Sequence, residues 1–504
     1  MQIIKKAFSG FLNYPQYSMP ALFLAWGLFY YFYGGVINVN NGFGYDGVIY
    51  GNITKNFYES VFGKYLSMYR IQRVFPSFAV DSILRILHLP KKTTYIIYAF
   101  QLYNLGLLLI CTNLWYRISK IFGLELKYIW AGFVLGFVSF GIAEFTFYYP
   151  VLTDTTAFFL GFCLLYSHLK NYTFAKIVIA VIGAFTWQVL IVVSLLLIIF
   201  PYKKLETPEN SNGSSSVIKR FILPCLISLP FLLNAVYYIF IYLKTGSLSL
   251  IDTQIYNRLM YITAVMNFFL MSYWLSEILP FGFSFRNYFN LIKKTLSEIK
   301  IGYLILCVLI YILMYAVQKY LSNSEAVDGG SAAKLFYFIS VYCVTKPLVF
   351  IVTAVTYYGP VFIFLFLFMK YYKVHIYELG TGVVISFIIS FLMLFATEAR
   401  LISYFVPFIL LLTVLVLRDL NMNNIQLIIL TIFSFILSKV YIPMFNIPGN
   451  PVDKFTFPDQ LLFMNIYTLS KETYFIQGGV IFVFTVIIYL SFRRQKPSES
   501  SQIL

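Results

Sequence analysis

Apolar runs of about 20 residues, each long enough for one helix to cross a bilayer, recur along all 504 residues, separated by polar turns. No other feature constrains the fold as tightly. Apolar residues make up 60% of the chain and charged residues only 11%, with a mean hydropathy of +0.79. Globular proteins average roughly 45–50% apolar and about 25% charged. The expected class is therefore all-α: a polytopic integral membrane protein whose residues 1–504 form a single transmembrane domain. Phe and Tyr supply lipid-facing bulk, and Tyr at span ends supplies interfacial anchors.

The first span, about Met19–Val36, exceeds a signal-peptide core and lacks a small-residue cleavage site after it, so it reads as an uncleaved anchor. Lys5 and Lys6 place the N-terminus in the cytoplasm. Spans follow at about Thr94–Leu114, Tyr128–Tyr148 and Ala157–His168. Between Lys176 and Lys203 the chain is too short for two crossings. Two short helices meeting at AFTWQ, residues 184–188, are expected there, with Trp187 and Gln188 at the tip. Irregular backbone at membrane depth is tolerated only against protein or a wet cavity, so this tip should line one. A flexible cytoplasmic linker, residues 201–220, contains SNGSSS. Further spans fall near 221–242, 261–281, 301–320, 347–369, 376–396, 401–417, 425–443 and 476–492. The total is about 12–14 transmembrane helices. An even number returns the 495–504 tail, after Arg493 and Arg494, to the cytoplasm, so both termini lie inside.

The formal charge of +17 raises the question of nucleic acid, but no soluble basic domain exists to present such a surface, and none is expected as a partner. Positive cytoplasmic loops account for most of the excess. Cys111, Cys163, Cys225, Cys307 and Cys343 all lie in apolar segments without paired spacing, which argues against a disulfide framework or zinc motif. The three histidines, His88, His168 and His375, are scattered.

The informative stretch is the first extracytoplasmic loop, residues 39–92, with amphipathic helices expected within it. A loop this long between spans usually carries function. Asp46 stands between glycines in GYDG, followed by a basic stretch with Lys55, Lys64, Arg70 and Arg73 and then Pro76 and Asp81. Counting spans puts Asp154 in PVLTDTT, the Trp187–Gln188 tip, Glu398 and Arg400 in ATEARL, and a late loop at 443–475 on the same extracytoplasmic face. Ionisable groups at membrane depth are costly and point to function. Each also has a structural reading. Asp46 is a catalytic carboxylate or a turn acid; Asp154 is a cavity residue or a helix cap. Glu398 and Arg400 line the cavity or pair with other groups. Arg70 and Arg73, three apart on one helical face, clamp a lipid-linked phosphate or rest on anionic headgroups.

Transfer of a sugar from a polyprenyl phosphate needs a carboxylate for the acceptor hydroxyl's proton and cations for the phosphate leaving group. Asp46 with Arg70, Arg73 or Arg400 would supply both. The first-loop acid, the basic stretch leading into RVFP, the polar bend with Asp154 and the later acid–arginine turn together resemble the GT-C superfamily of polytopic glycosyltransferases. The resemblance implies catalysis at the outer face from a polyprenyl-phosphate-linked donor, with Asp46 as general base. From their own placement, Arg70 and Arg73 are expected to contact the donor phosphate or position the loop, and Asp154, Gln188, Glu398 and Arg400 to line the substrate-binding cavity. The chain departs from many members in carrying a single acid, not an acidic pair, at the GYDG turn and in lacking a large soluble C-terminal domain. A glycan or lipid acceptor is expected. A divalent metal stays an open possibility, since no dedicated ligand set is visible.

Other classes remain in view. A transporter or flippase of lipid-linked sugars would place charges within mid-membrane helices and show internal repeats, and none is found. An O-antigen polymerase or ligase would carry an arginine-rich late loop, whereas residues 443–475 hold only Lys454 and Lys471. Richness in Phe, Tyr, Ile, Lys and Asn is the composition of an AT-rich bacterial genome, and the expected location is a bacterial inner membrane, with membrane lipids as surroundings.

Overall fold

The structure, a computed structural model, describes residues 10–37, 39–205, 217–245, 259–279, 293, 295–297, 299–323, 332–441 and 471–493. Lys5 and Lys6, most of the linker, the late loop from 442 to 470 and the tail from 494 lie outside the described residues. The chain is all-helical, with no strand among the described residues. Five helices are long and apolar enough to cross a membrane: Thr93–Ile121, Arg220–Thr245, Ile301–Leu321, Ala399–Asp419 and Tyr474–Phe492. Two bent helix pairs raise the number to 7 if each pair is one span. The chain is thus a multi-pass membrane protein. Reaching 12–14 crossings requires counting shorter apolar helices such as Thr381–Leu394 and Asn424–Ser438 as spans as well.

The bundle is built around one element. The Ala399–Asp419 segment is 94% buried, whereas Arg220–Thr245 is only 17% buried. The first is enclosed by Leu126–Phe137, Asp154–Leu169, Val361–Leu367 and Met369–Glu378. A helix apolar all round belongs in such a position, and lipid suits the exposed apolar faces of the peripheral helices equally well.

Several expected spans are broken, each for a local reason. The third, expected to run unbroken from Tyr128 to Tyr148, bends by 69° between Leu126–Phe137 and Phe140–Tyr148. A π-helical turn at Phe140–Glu144 follows Ser139, whose backbone is extended. Gly141 permits the approach of the Tyr357 ring, which a Cβ would strike. The span expected at 347–369 is divided at Gly359, whose φ of +75° precedes Pro360. The span expected from 376 starts at Thr381, because Gly380 at φ +96° separates it from the polar helix Met369–Glu378. A further helix, Ala332–Val341, lies between the spans expected at 301–320 and 347–369.

The first loop folds into amphipathic helices at Gly47–Lys55, Phe57–Phe62, Met68–Ile71 and Phe75–Ile86. They bury Tyr50, Ile53, Phe57, Val61, Ile71, Val80 and Leu84, while Tyr58, Phe62, Phe78 and Ile86 lie exposed on their outer faces. Its return is tied by Asp81, which pairs with Arg85 at 2.8 Å and with Lys91. The expected hairpin is present: Thr173–Ala184 and Gln188–Ile199 pack against each other around a tip at 185–187. Lys176 is buried and donates to the carbonyl of Leu197 at 2.7 Å, satisfying a carbonyl of the last helical turn.

Candidate functional site

The GYDG turn is shaped by Tyr149. A Cβ at Gly44 or Gly47 would collide with its ring, and the Gly47 N–H donates to the Tyr149 hydroxyl at 2.9 Å. Gly44 also sits at φ +70°, where side chains are strained. The turn thereby presents Asp46 just before the Gly47–Lys55 helix. Its carboxylate does not cap that helix. Instead Asp46 accepts from Arg400 Nη2 at 3.0 Å and lies 4.0 Å from Arg70 Nη1. A turn acid with only a local role would have bonded its own backbone; this one reaches across the fold.

Arg400 stands in the 3₁₀ turn Ala399–Phe405 that opens the central helix. Its side chain is 7% exposed and also donates to Glu398. Because Asp46 is 35% exposed and Arg70 14%, the cluster opens at Asp46 and closes at Arg400. Burial pushes the Asp46 carboxyl up, but the charge and hydrogen bond of Arg400, with Arg70 and Arg73 behind them, outweigh burial and hold it below the usual carboxylate range.

The remaining expected residues form a second layer. Arg73 is buried with its guanidinium between two rings, 4.4 Å from the centroid of Tyr69 and 4.6 Å from that of Trp187. This ties the first loop to the hairpin tip, so Arg73 fits a loop-positioning role better than an exposed phosphate contact. Trp187 donates from Nε1 to Leu401 O at 3.1 Å, and Gln188 donates to Gln72. Phe75 N–H donates to Phe185 O at 2.9 Å, joining loop to tip through the backbone as well. The tip therefore packs against protein at the base of the site.

Asp154 is the first residue of the Asp154–Leu169 helix and makes no side-chain cap. It is buried, and neither carboxylate oxygen has a hydrogen-bond partner. Arg400, Arg73 and Glu398 are the charges that act on it. The three arginines thus face three acids, Asp46, Asp154 and Glu398. Among the described residues no three His, Cys, Asp or Glu side chains gather to hold a metal ion.

Tyr149, Tyr69, Gln72 and Gln318 were not singled out by the sequence. The glycines around Asp46 signal a close neighbour without naming Tyr149. Gln318, a lone amide in an apolar helix, was the one visible hint of the last. Comparisons of the chain with protein-family models, curated proteins and solved structures return no match.

Proposed function

We propose that this chain is a GT-C-like membrane glycosyltransferase of about 12–14 spans that moves a sugar from a polyprenyl-phosphate-linked donor to a glycan or lipid acceptor at the extracytoplasmic face. One observation supports it above all. Asp46, Arg70 and Arg400, drawn from stretches up to 354 positions apart, converge in a half-open cluster whose donors and acceptor suit an anionic leaving group beside a base.

In this reading the acceptor oxygen attacks the anomeric carbon. The bond from that carbon to the phosphate oxygen breaks, and the electron pair leaves with the polyprenyl phosphate. Each guanidinium carries five N–H donors, so Arg70 and Arg400 can hold the phosphate while Arg400 keeps Glu398. Binding of the phosphate loosens the grip on Asp46, whose freed oxygen takes the acceptor proton. A carboxylate held below its usual range is a weak base, so the proton moves late, after the leaving group has largely departed.

A second reading, a transporter or flippase of lipid-linked sugars, draws on one observation. Glu144 is buried at the break in the third apolar segment, with Lys439 as its electrostatic neighbour. Reconstituted vesicles separate the two. Given a polyprenyl-phosphate sugar and a glycan or glycolipid acceptor, the glycosyltransferase yields a new glycosidic product and free polyprenyl phosphate. Movement of unchanged donor across the bilayer without product would favour the transporter.

A further inference from the structure

The Ile301–Leu321 helix runs along the edge of the bundle, and most of its surface is exposed. Its buried residues form a single stripe: Cys307, Ile310, Met314 and Gln318. The first three pack against Ala184, Ile191 and Leu195 of the hairpin. A fourth apolar residue would continue that contact without difficulty. Burying an amide there costs free energy unless both its ends are bonded.

Both ends are bonded. Gln318 Nε2 donates to the carbonyl of Ala184 at 2.7 Å, and its Oε1 accepts from Gln72 Nε2 at 3.1 Å. Gln72 Oε1 in turn accepts from Gln188 Nε2. Ala184 ends the first hairpin helix and Gln188 begins the second, so the three amides, joined head to tail, close a loop around the tip. The Ala184 carbonyl is one that the helix end leaves without an intrahelical partner. The same helix end meets the first loop twice more: Asn323 N–H donates to Leu66 O at 2.8 Å, and Lys64 lies 4.7 Å over the Tyr320 ring.

We propose that Gln318 is a positioning residue for the Asp46–Arg70–Arg400 site. It acts through Gln72, which lies two residues from Arg70 and one from Arg73, and through the tip that carries Trp187. The amide chain sets how closely the 68–73 segment approaches the hairpin, and with it the place of the Arg70 guanidinium beside Asp46. The inference rests on the transferase reading for its kinetic consequence, but the positioning itself can be tested without turnover.

Two measurements test it. In detergent-solubilised protein carrying Arg70→Cys, the rate of maleimide labelling reports how firmly position 70 is held. Adding Gln318→Leu, which keeps an apolar helix intact, should raise that rate about tenfold, the equivalent of one buried hydrogen bond of about 1–1.5 kcal/mol. An unchanged rate, in protein with the original melting temperature, overturns the proposal. For transfer, Gln318→Leu and Gln72→Leu should each lower kcat about tenfold with the acceptor KM unaltered, and the double variant should be no worse than either single one. Additive losses, or normal kcat in Gln318→Leu, contradict positioning through one chain. If the original protein transfers no sugar, the transferase reading falls, and the labelling comparison still decides whether Gln318 positions Arg70.

Discussion

Arg400→Gln should be among the most disruptive single changes in this protein, and its effect can be worked from the site. The guanidinium is 7% exposed and lies against Asp46, 35% exposed, and Glu398, 18% exposed, with the unpartnered Asp154 close behind. A charge pair at that separation in an effective dielectric of 20 interacts by about 4 kcal/mol. Solvent screening at the more exposed Asp46 reduces its share to about 1 kcal/mol. The larger loss comes from leaving acids buried without a countercharge, for which breaking a buried pair typically costs about 3–5 kcal/mol. Arg400→Gln is therefore expected to destabilise by about 3–5 kcal/mol. Asp46→Asn should cost about 1 kcal/mol. Adding Asp154→Asn to Arg400→Gln should recover at least about 1 kcal/mol, because it removes a buried acid that has lost its main countercharge and keeps only Arg73. Equilibrium unfolding in mixed micelles would measure all three. A cost for Arg400→Gln within about 0.5 kcal/mol of zero, the range of an ordinary surface change, would refute the electrostatic reasoning, as would additivity of Arg400→Gln with Asp154→Asn.

Other consequences follow from single contacts. Asp46 is held below the usual carboxylate range. It therefore stays ionised throughout the usual carboxylate range, and the acid limb of kcat/KM for transfer should lie below that range; an acid limb above it would contradict the assignment. Trp187→Ala removes the ring over Arg73 and the bond to Leu401, and should cost about 3–5 kcal/mol of stability by the same unfolding measurement. At the far end of the central helix, His375 is bonded through both ring nitrogens, to Asp419 at 2.8 Å and Glu378 at 3.0 Å. Only the imidazolium can donate to both. Burial opposes that charge, but the bonds to Asp419 and Glu378 outweigh it and raise the pKa of His375. Its stabilisation is then complete below the ordinary histidine range and lost as pH rises through the raised value. The His375 bond, helped by Lys204, draws Glu378 down to about 2, so its contribution is present above the ordinary glutamate range and lost as pH falls towards 2. His375→Gln should flatten the alkaline side of the stability–pH curve, and an unaltered curve would count against the arrangement.

Much of the architecture was legible because lipid imposes one rule on every crossing segment. Long apolar runs gave the Ile301–Leu321 helix almost to its ends and the start of Thr93–Ile121, which runs on past the expected end at Leu114 through the polar turn to Lys120. The length shortfall between Lys176 and Lys203 gave the hairpin and its tip. What periodicity could not show was where a run breaks. The bend at Ser139 and the interruption at Gly359–Pro360 depend on tertiary neighbours such as Tyr357 and on single glycines, which apolar runs readily absorb. At the site, Asp46, Arg70, Glu398 and Arg400 could be grouped by counting crossings, since each is a charge at a span end. Their pairing could not: nothing local to Asp46 specifies a partner in the 3₁₀ turn at 399–405. Arg70 and Arg73, alike in sequence, separate only in three dimensions, one facing Asp46 and the other stacked between Tyr69 and Trp187.

The most direct test of the central claim is transfer of radiolabelled sugar from polyprenyl-phosphate donors in membranes carrying either the original protein or Asp46→Asn at matched expression. The glycosyltransferase account predicts product with the original chain and a loss of about 10² or more with the isosteric change, the typical scale of general-base catalysis. Equal product from both would make Asp46 a structural anchor for Arg400 and remove it from the chemistry.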